Sequence, residues 1–247
     1  MLVKSQVKYI QSLSQKKLRD QEVSFVAEGP KIINELLAAT NVDLKQLFAT
    51  ETWILANQSQ VSRIEANRII SVNPKELERI SFLTSPNEAL AVFKKPEFSG
   101  ALNTKDRITL LLDAIQDPGN LGTIIRCADW FGITQVICSE ECADVFSQKV
   151  IQSTMGSISR VRVEYMDPNL FLEEHKKVPV FAALLNGKDL HSFPKITEGI
   201  ILIGNESKGI RSSLINSRVQ QLTIPRKGGA ESLNAAVATG IILSQLT

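Results

Sequence analysis

Three short stretches of the chain concentrate glycine with polar and charged side chains. The first runs Asp117-Pro118-Gly119-Asn120-Leu121-Gly122 and continues to Arg126. The second is Gly204-Asn205-Glu206-Ser207-Lys208-Gly209. The third is Pro225-Arg226-Lys227-Gly228-Gly229-Ala230-Glu231-Ser232-Leu233-Asn234. Glycines at such places let backbone approach a ligand closely, and free N–H groups at helix starts grip polar atoms. Lys208, Arg226 and Lys227 lie in or beside these loops and are candidates to meet phosphates. The familiar nucleotide signatures are missing: neither GxGxxG nor GxxxxGK followed by Ser or Thr occurs. Neither His175 nor His191 falls in the loops, so no Ser–His–Asp triad suggests itself.

Each loop follows an apolar run, which is where a ligand site belongs in an open parallel sheet. Ile108-Thr109-Leu110-Leu111-Leu112 suits a central strand buried on both faces. Asn120 is placed to cap a helix running to about Phe131, with Gly132 as its C′ residue. Further strands are expected at Val136-Ile137, 178–184, 200–203 and 222–224. A buried helix is expected over 232–246. Strands alternating with helices predict an α/β fold with a parallel sheet.

The first hundred residues carry a second, smaller alternation. Val7, Ile10, Leu13 and Leu18 predict one amphipathic helix. Strands are expected at Phe25-Val26-Ala27, Leu47-Phe48-Ala49, 69–72 and 89–93, with helices starting near Pro30 and Trp53. Residues 94–107, with Pro96, Ser99 and Gly100, have linker character. The expected division is 1–97, a linker 98–106, and 107–247.

Composition narrows the class. A chain of 247 residues buries a core without staples. No run of eighteen apolar residues predicts a membrane span, and the N-terminus lacks the apolar stretch of a signal peptide. Cys127, Cys138 and Cys142 form no CxxC pair and make a poor metal set with only two histidines. A reducing, cytoplasmic compartment fits them best. Net charge is only +2, but Lys4, Lys8, Lys16, Lys17 and Arg19 cluster at the start against Asp20. That stripe suits phosphate neutralisation or a solvated helix face equally.

The three loops, in order, resemble the three motifs of the SpoU (TrmH) family of SPOUT RNA methyltransferases. The matching segments are NLGTIIRCADWFG, LIGNESKG and IPRKGGAESLNAAVA, separated by about eighty and twenty residues. The resemblance spans most of 108–247. The first half, notably FVAEGPKIINELL, is similar to the family's L30e-like substrate-binding extension.

The resemblance implies a parallel-sheet SPOUT domain with a trefoil knot, otherwise a very rare feature of protein chains. It also implies S-adenosylmethionine held mostly by backbone groups, and a homodimer with each site near the interface. By position, the catalytic set it implies is Asn120, Arg126, Glu206, Ser232 and Asn234, and the cofactor set is Leu184, Asn186, Gly204, Ile224 and Leu233. Cys127 stands where threonine is common, and Ala235-Ala236 where Val-Ser is usual; no polar group needed for chemistry is lost.

The implied reaction is methyl transfer to a ribose 2′-hydroxyl of structured RNA, with ribosomal RNA favoured. A transfer RNA target, a base nitrogen target and a non-catalytic RNA-binding protein are the alternatives. Arg126 is either a general base or a clamp on phosphate and developing alkoxide; a guanidinium keeps its proton above pH ~12, which favours the clamp.

Overall fold

A computed structural model describes residues 2–247. The chain forms two compact units. One comprises residues up to 98 together with 146–159; the other comprises 99–145 with 160–247.

The first unit contains α1 (Lys4–Ser12), α2 (Lys16–Glu22), β1 (Ser24–Glu28), α3 (Pro30–Ala38), β2 (Leu44–Ala49), α4 (Glu51–Ala56), α5 (Gln58–Val61), β3 (Ile69–Ser71), α6 (Pro74–Glu78) and β4 (Ala89–Lys94). Its four-stranded sheet has the order β1-β4-β2-β3, with only the β2–β3 pair parallel. The expected single first helix is in fact two. Arg19 explains the break: its guanidinium is buried and donates to the carbonyls of Leu13 and Ser14, both at 2.7 Å. Those carbonyls therefore need no continuing helix. Arg19 is thereby withdrawn from the basic stripe, while Lys4, Lys8, Lys16 and Lys17 stay exposed.

Residues 146–159, expected in the C-terminal half, pack with this first unit. Phe146 lies 5.4 Å, ring to ring, from Phe25, and Lys95 sits over its face. Gly156 approaches Glu35 so closely that a Cβ there would lie 2.6 Å from that of Glu35. Buried Glu28 accepts from the Ser81 hydroxyl and the Phe82 N–H; its burial pushes the carboxyl above the ordinary carboxylate range.

The second unit contains β5 (Ile108–Asp113), α7 (Pro118–Trp130), β6 (Gln135–Cys138), β7 (Arg162–Tyr165), α9 (Pro168–Glu174), β8 (Val180–Asp189), β9 (Gly199–Gly204), β10 (Val219–Thr223) and α10 (Ala235–Leu246); the intervening helix α8 (Gln148–Thr154) belongs to the first unit. All pairs in its sheet are parallel, in the order β10-β8-β9-β5-β6-β7. Leu110, Leu111 and Leu112 on β5 are wholly buried, as a strand covered on both faces requires. The sequence reading lacked β7 and shortened β10 to its apolar end. Both are edge strands, where half-buried or polar residues such as Gln220 and Gln221 are tolerated.

Two details of register place the polar loops. On the central pair, Asp113 lies opposite Gly204, so the loops after β5 and β9 start side by side. Between β8 and β10 the register jumps: Gln221 faces Ala182 but Leu222 faces Lys188. Residues 183–187 are thus expelled from the ladder. The strands close up again at Gly187, where a Cβ would lie 2.5 Å from the Leu222 carbonyl carbon. Only glycine permits that approach of two backbones.

Candidate active site at the carboxyl ends of the sheet

Asp117 begins the site. Its side chain accepts from the Asn120 N–H at 2.8 Å and caps α7, with Pro118 at the first helical position. Asn120 is therefore a first-turn residue and not the cap expected of it. The Asp-Pro pair was the available signal, since aspartate favours the N-cap and proline the next position. Gly132 has φ +73° beyond the helix end, as expected of a C′ glycine.

Freed from capping, the Asn120 side chain joins the other two loops. Its amide nitrogen donates to the Glu206 carboxylate, and its oxygen accepts from Asn234 Nδ2 at 2.7 Å. Asn234 Oδ1 in turn accepts from the N–H groups of Ala236 and Val237 at 2.9 and 3.2 Å, capping α10. The last helix thus starts at Ala235, capped by Asn234, where Ser232 was the expected start. These bonds run in one direction, from the α10 amides through two side-chain amides to a carboxylate. Such chains polarise one another, and the charged acceptor strengthens the final bond.

The turn carrying Glu206 is tightly made. Asn205 and Gly209 exchange backbone bonds at 3.1 and 2.9 Å, and Asn205 Oδ1 accepts from the N–H groups of Ser207 and Lys208. A Cβ at Gly204 would lie 2.5 Å from the Gly209 carbonyl carbon. Just beyond, buried Asp113 accepts from the Arg211 N–H and from its guanidinium at 2.8 and 2.7 Å. The hydrogen bond to Asp113 raises the Arg211 pKa further. Next to Asp113, Ala114 has φ +56°, a conformation that costs a non-glycine residue about 1–3 kcal/mol. Asp113, Ala114 and Arg211 are absent from the sequence-derived set, because nothing in their types distinguishes them from ordinary loop residues; Asn205 lies within the second motif but outside that set.

The remaining expected residues divide. Arg126 is exposed, six residues beyond Asn120 on α7, and makes no hydrogen bond or ion pair among the described residues. Ser232 is exposed and makes no hydrogen bond among the described residues. Of the cofactor set, Leu184 and Asn186 lie in the expelled segment 183–187. Thr223 donates to the Leu185 carbonyl at 3.1 Å, which ties that segment to the chain leading into half-buried Ile224. Gly204 lies two residues beyond Leu202, the last residue of β9 paired with β8, and Leu184 two beyond its partner Ala182. Leu233 is exposed in the third loop.

Cys138 and Cys142 are buried, Cys127 is half-buried, and all three are free. Burial raises the Cys127 thiol, with neighbouring Arg126 pulling it back. No group of residues fit to hold a metal ion occurs among the described residues.

Residues 107–244 match the SpoU rRNA Methylase family, and residues 4–91 match the MRM3-like substrate binding domain. The chain is 32% identical, over 97% of its length and 95% of the relative's, to the 23S rRNA (guanosine(2553)-2′-O)-methyltransferase RlmP of Bacillus subtilis. An AdoMet-bound rRNA methyltransferase from Sinorhizobium meliloti superposes over the whole chain and 95% of its own, with TM-score 0.85 and 32% identity. The SpoU methyltransferase AviRb from Streptomyces viridochromogenes shares the fold over 99% of this chain and 97% of its own, with TM-score 0.83 at 23% identity. The fold and the family match define an RNA methyltransferase of the parallel-sheet SPOUT class. The chain belongs to the SpoU rRNA methylase family.

Asn234 serves two structures at once, so Asn234→Ala should lower unfolding free energy in urea by about 1–2 kcal/mol, the value of a lost cap. Ser232→Ala should change it by less than about 0.5 kcal/mol. Equal losses in both variants would contradict the assignment of the cap.

Proposed function

We propose that this chain transfers the methyl group of S-adenosylmethionine to a ribose 2′-hydroxyl of ribosomal RNA, in the cytoplasm, as a homodimer. The carrying observation is the Glu206–Asn120–Asn234 chain, which gathers three loops at the carboxyl ends of a parallel sheet while Arg126 on α7 stays exposed, with no ion pair among the described residues.

The cofactor's demands fit the residues present. Segment 183–187 has backbone groups released from the ladder, and half-buried Leu184 and Ile224 offer apolar surface beside them. Leu184, Asn186, Gly204, Ile224 and Leu233 would hold it. When bound, it supplies an electrophilic methyl on a sulfonium. The C-terminal chain is proposed to follow the trefoil-knotted path that the family resemblance implies.

Displacement at that methyl is a matter of position and of making the ribose oxygen nucleophilic. The planar, multi-donor guanidinium of Arg126 suits a clamp on the adjoining phosphate and stabilises the alkoxide as it develops. Asn120, Glu206 and Asn234 hold the start of α7 in register, and Ser232, which makes no hydrogen bond among the described residues, is available to the ribose. Lys208, Arg226 and Lys227, all exposed around the loops, meet neighbouring phosphates. Residues 4–91 bind the RNA, with exposed Lys4, Lys8, Lys16 and Lys17 adding charge.

The homodimer rests on an apolar face. Trp130 on α7 is 85% exposed, and Val237 and Ile241 one turn apart on α10 are 52% and 38% exposed. The two helices pack together, a Cβ at Gly240 reaching 3.7 Å from Cys127 Sγ. Arg126 shares the exposed side of α7 with Trp130, so a partner covering that face lies next to the reacting group. No helix among the described residues is long and apolar enough to cross a membrane.

Arg126→Ala should lower methyl transfer to ribosomal RNA by about 10²–10³-fold or more, as for other lost electrostatic stabilisers. Cofactor affinity by calorimetric titration should stay within about twofold, since Arg126 is placed on the RNA side. Activity near wild type would remove Arg126 from the chemistry. Sedimentation of Trp130→Glu should give half the wild-type mass; a wild-type monomer, or a variant that remains dimeric, would contradict the interface.

A further inference from the structure

We propose that Asn205 is a positioning residue for methyl transfer, a latch between the loop that carries Glu206 and the strained end of β5 that leads into α7. The inference rests on the ribose-methylation reading and adds to it a residue outside the expected catalytic and cofactor sets.

The geometry separates two jobs of one side chain. Asn205 Oδ1 accepts from Ser207 and Lys208 N–H at 2.9 and 3.1 Å, which shapes its own turn. Asn205 Nδ2 donates to the Ala114 carbonyl at 2.8 Å, which crosses to the other loop. Ala114 is held on its other side as well, its N–H donating to the Ser139 hydroxyl at 3.0 Å. The next N–H, that of Ile115, meets Cys142 Sγ at 3.3 Å. A non-glycine residue at φ +56° persists only where its surroundings fix it. Asn205 supplies the one of these restraints that comes from the Glu206 loop.

Three residues after Ala114 stands Asp117, the cap of α7, and three further on stands Asn120. Glu206, the acceptor for Asn120, is the immediate neighbour of Asn205. The latch therefore fixes the distance between both ends of the Glu206–Asn120 bond. Arg211, gripped by Asp113, anchors the far end of the same loop to the same strand. Without the Asn205 bond the loop keeps its strand pairing at Gly204 and its anchor at Arg211 but loses its tie to Ala114. Small misplacements of this sort cost heavily, about 10²-fold for 1 Å.

Asn205→Asp tests the crossing bond alone. The carboxylate keeps an oxygen for Ser207 and Lys208 but turns a second oxygen toward the Ala114 carbonyl, replacing attraction by repulsion. At pH 8 and saturating cofactor the variant should transfer methyl about 100-fold more slowly than wild type. The loss should fall on kcat, with KM for S-adenosylmethionine within about twofold of wild type. A destabilised fold would not divide the loss in that way. Asn205→Ala, which introduces no charge, should be slowed as well.

Hydrogen exchange by mass spectrometry gives a readout independent of catalysis. Peptides covering 113–117 and 204–210 should exchange faster in both variants, with those covering β6 unchanged. A wild-type enzyme that methylates no ribosomal RNA would sink the reading of function, and the exchange data would then decide the latch by themselves. Wild-type rates in Asn205→Asp at pH 8, a loss confined to KM, or unaltered exchange at 113–117 would each overturn the proposal.

Discussion

The side chain of Asn120 is committed in both directions, its nitrogen to Glu206 and its oxygen to Asn234. Those partners come from loops after β9 and β10, whereas Asn120 opens the helix after β5. One small amide thereby fixes the mutual placement of three segments separated by tens of residues in sequence. Each partner is constrained in its own right: Asn234 by the α10 amides it caps, Glu206 by the turn closed between Asn205 and Gly209. Loss of any member leaves polar groups of the others without partners, so the arrangement is held as a unit.

The sheet supplies the convergence that the side chains complete. Parallel strands direct all their following loops to one end, and the β5–β9 register sets Asp113 against Gly204 there. The buried carboxylate of Asp113 then binds Arg211 at the end of the second loop, an arrangement that keeps a charge in the interior satisfied. On the other side, the register jump opposite β10 releases residues 183–187 from sheet duty. Backbone groups that no longer serve a ladder are what a cofactor gripped through main-chain atoms requires. Arg126 is left with its guanidinium in solvent on α7, beside Trp130. Packing fixes the framework and leaves this cation exposed.

Much of this was legible in residue types. The apolar run Ile108–Leu112 announces a doubly covered strand, and the three loops stand out by their glycine and polar content, with Asn120, Glu206 and Asn234 singled out by the family resemblance. What escaped the sequence depends on contacts distant along the chain. The break between α1 and α2 follows from Arg19 folding back onto Leu13 and Ser14, while the apolar spacing continues across it. The cap of α7 is Asp117, because aspartate before proline outcompetes an asparagine two positions inside the helix. The edge strands β7 and β10 carry too little apolar patterning to be read, and the excursion of 146–159 depends on Phe146 finding Phe25. Ala114 has an ordinary identity and an unusual backbone, which only the surrounding hydrogen bonds explain.

The most direct test of the account follows the methyl group. Wild-type protein would be given labelled S-adenosylmethionine and unmodified ribosomal RNA, and the product hydrolysed in alkali. A 2′-O-methyl group blocks cleavage at the next phosphodiester, so the account predicts label in alkali-resistant dinucleotides. Label confined to mononucleotides would mean a base target, and no transfer of label at all would contradict the assignment of ribosomal RNA methylation to this site.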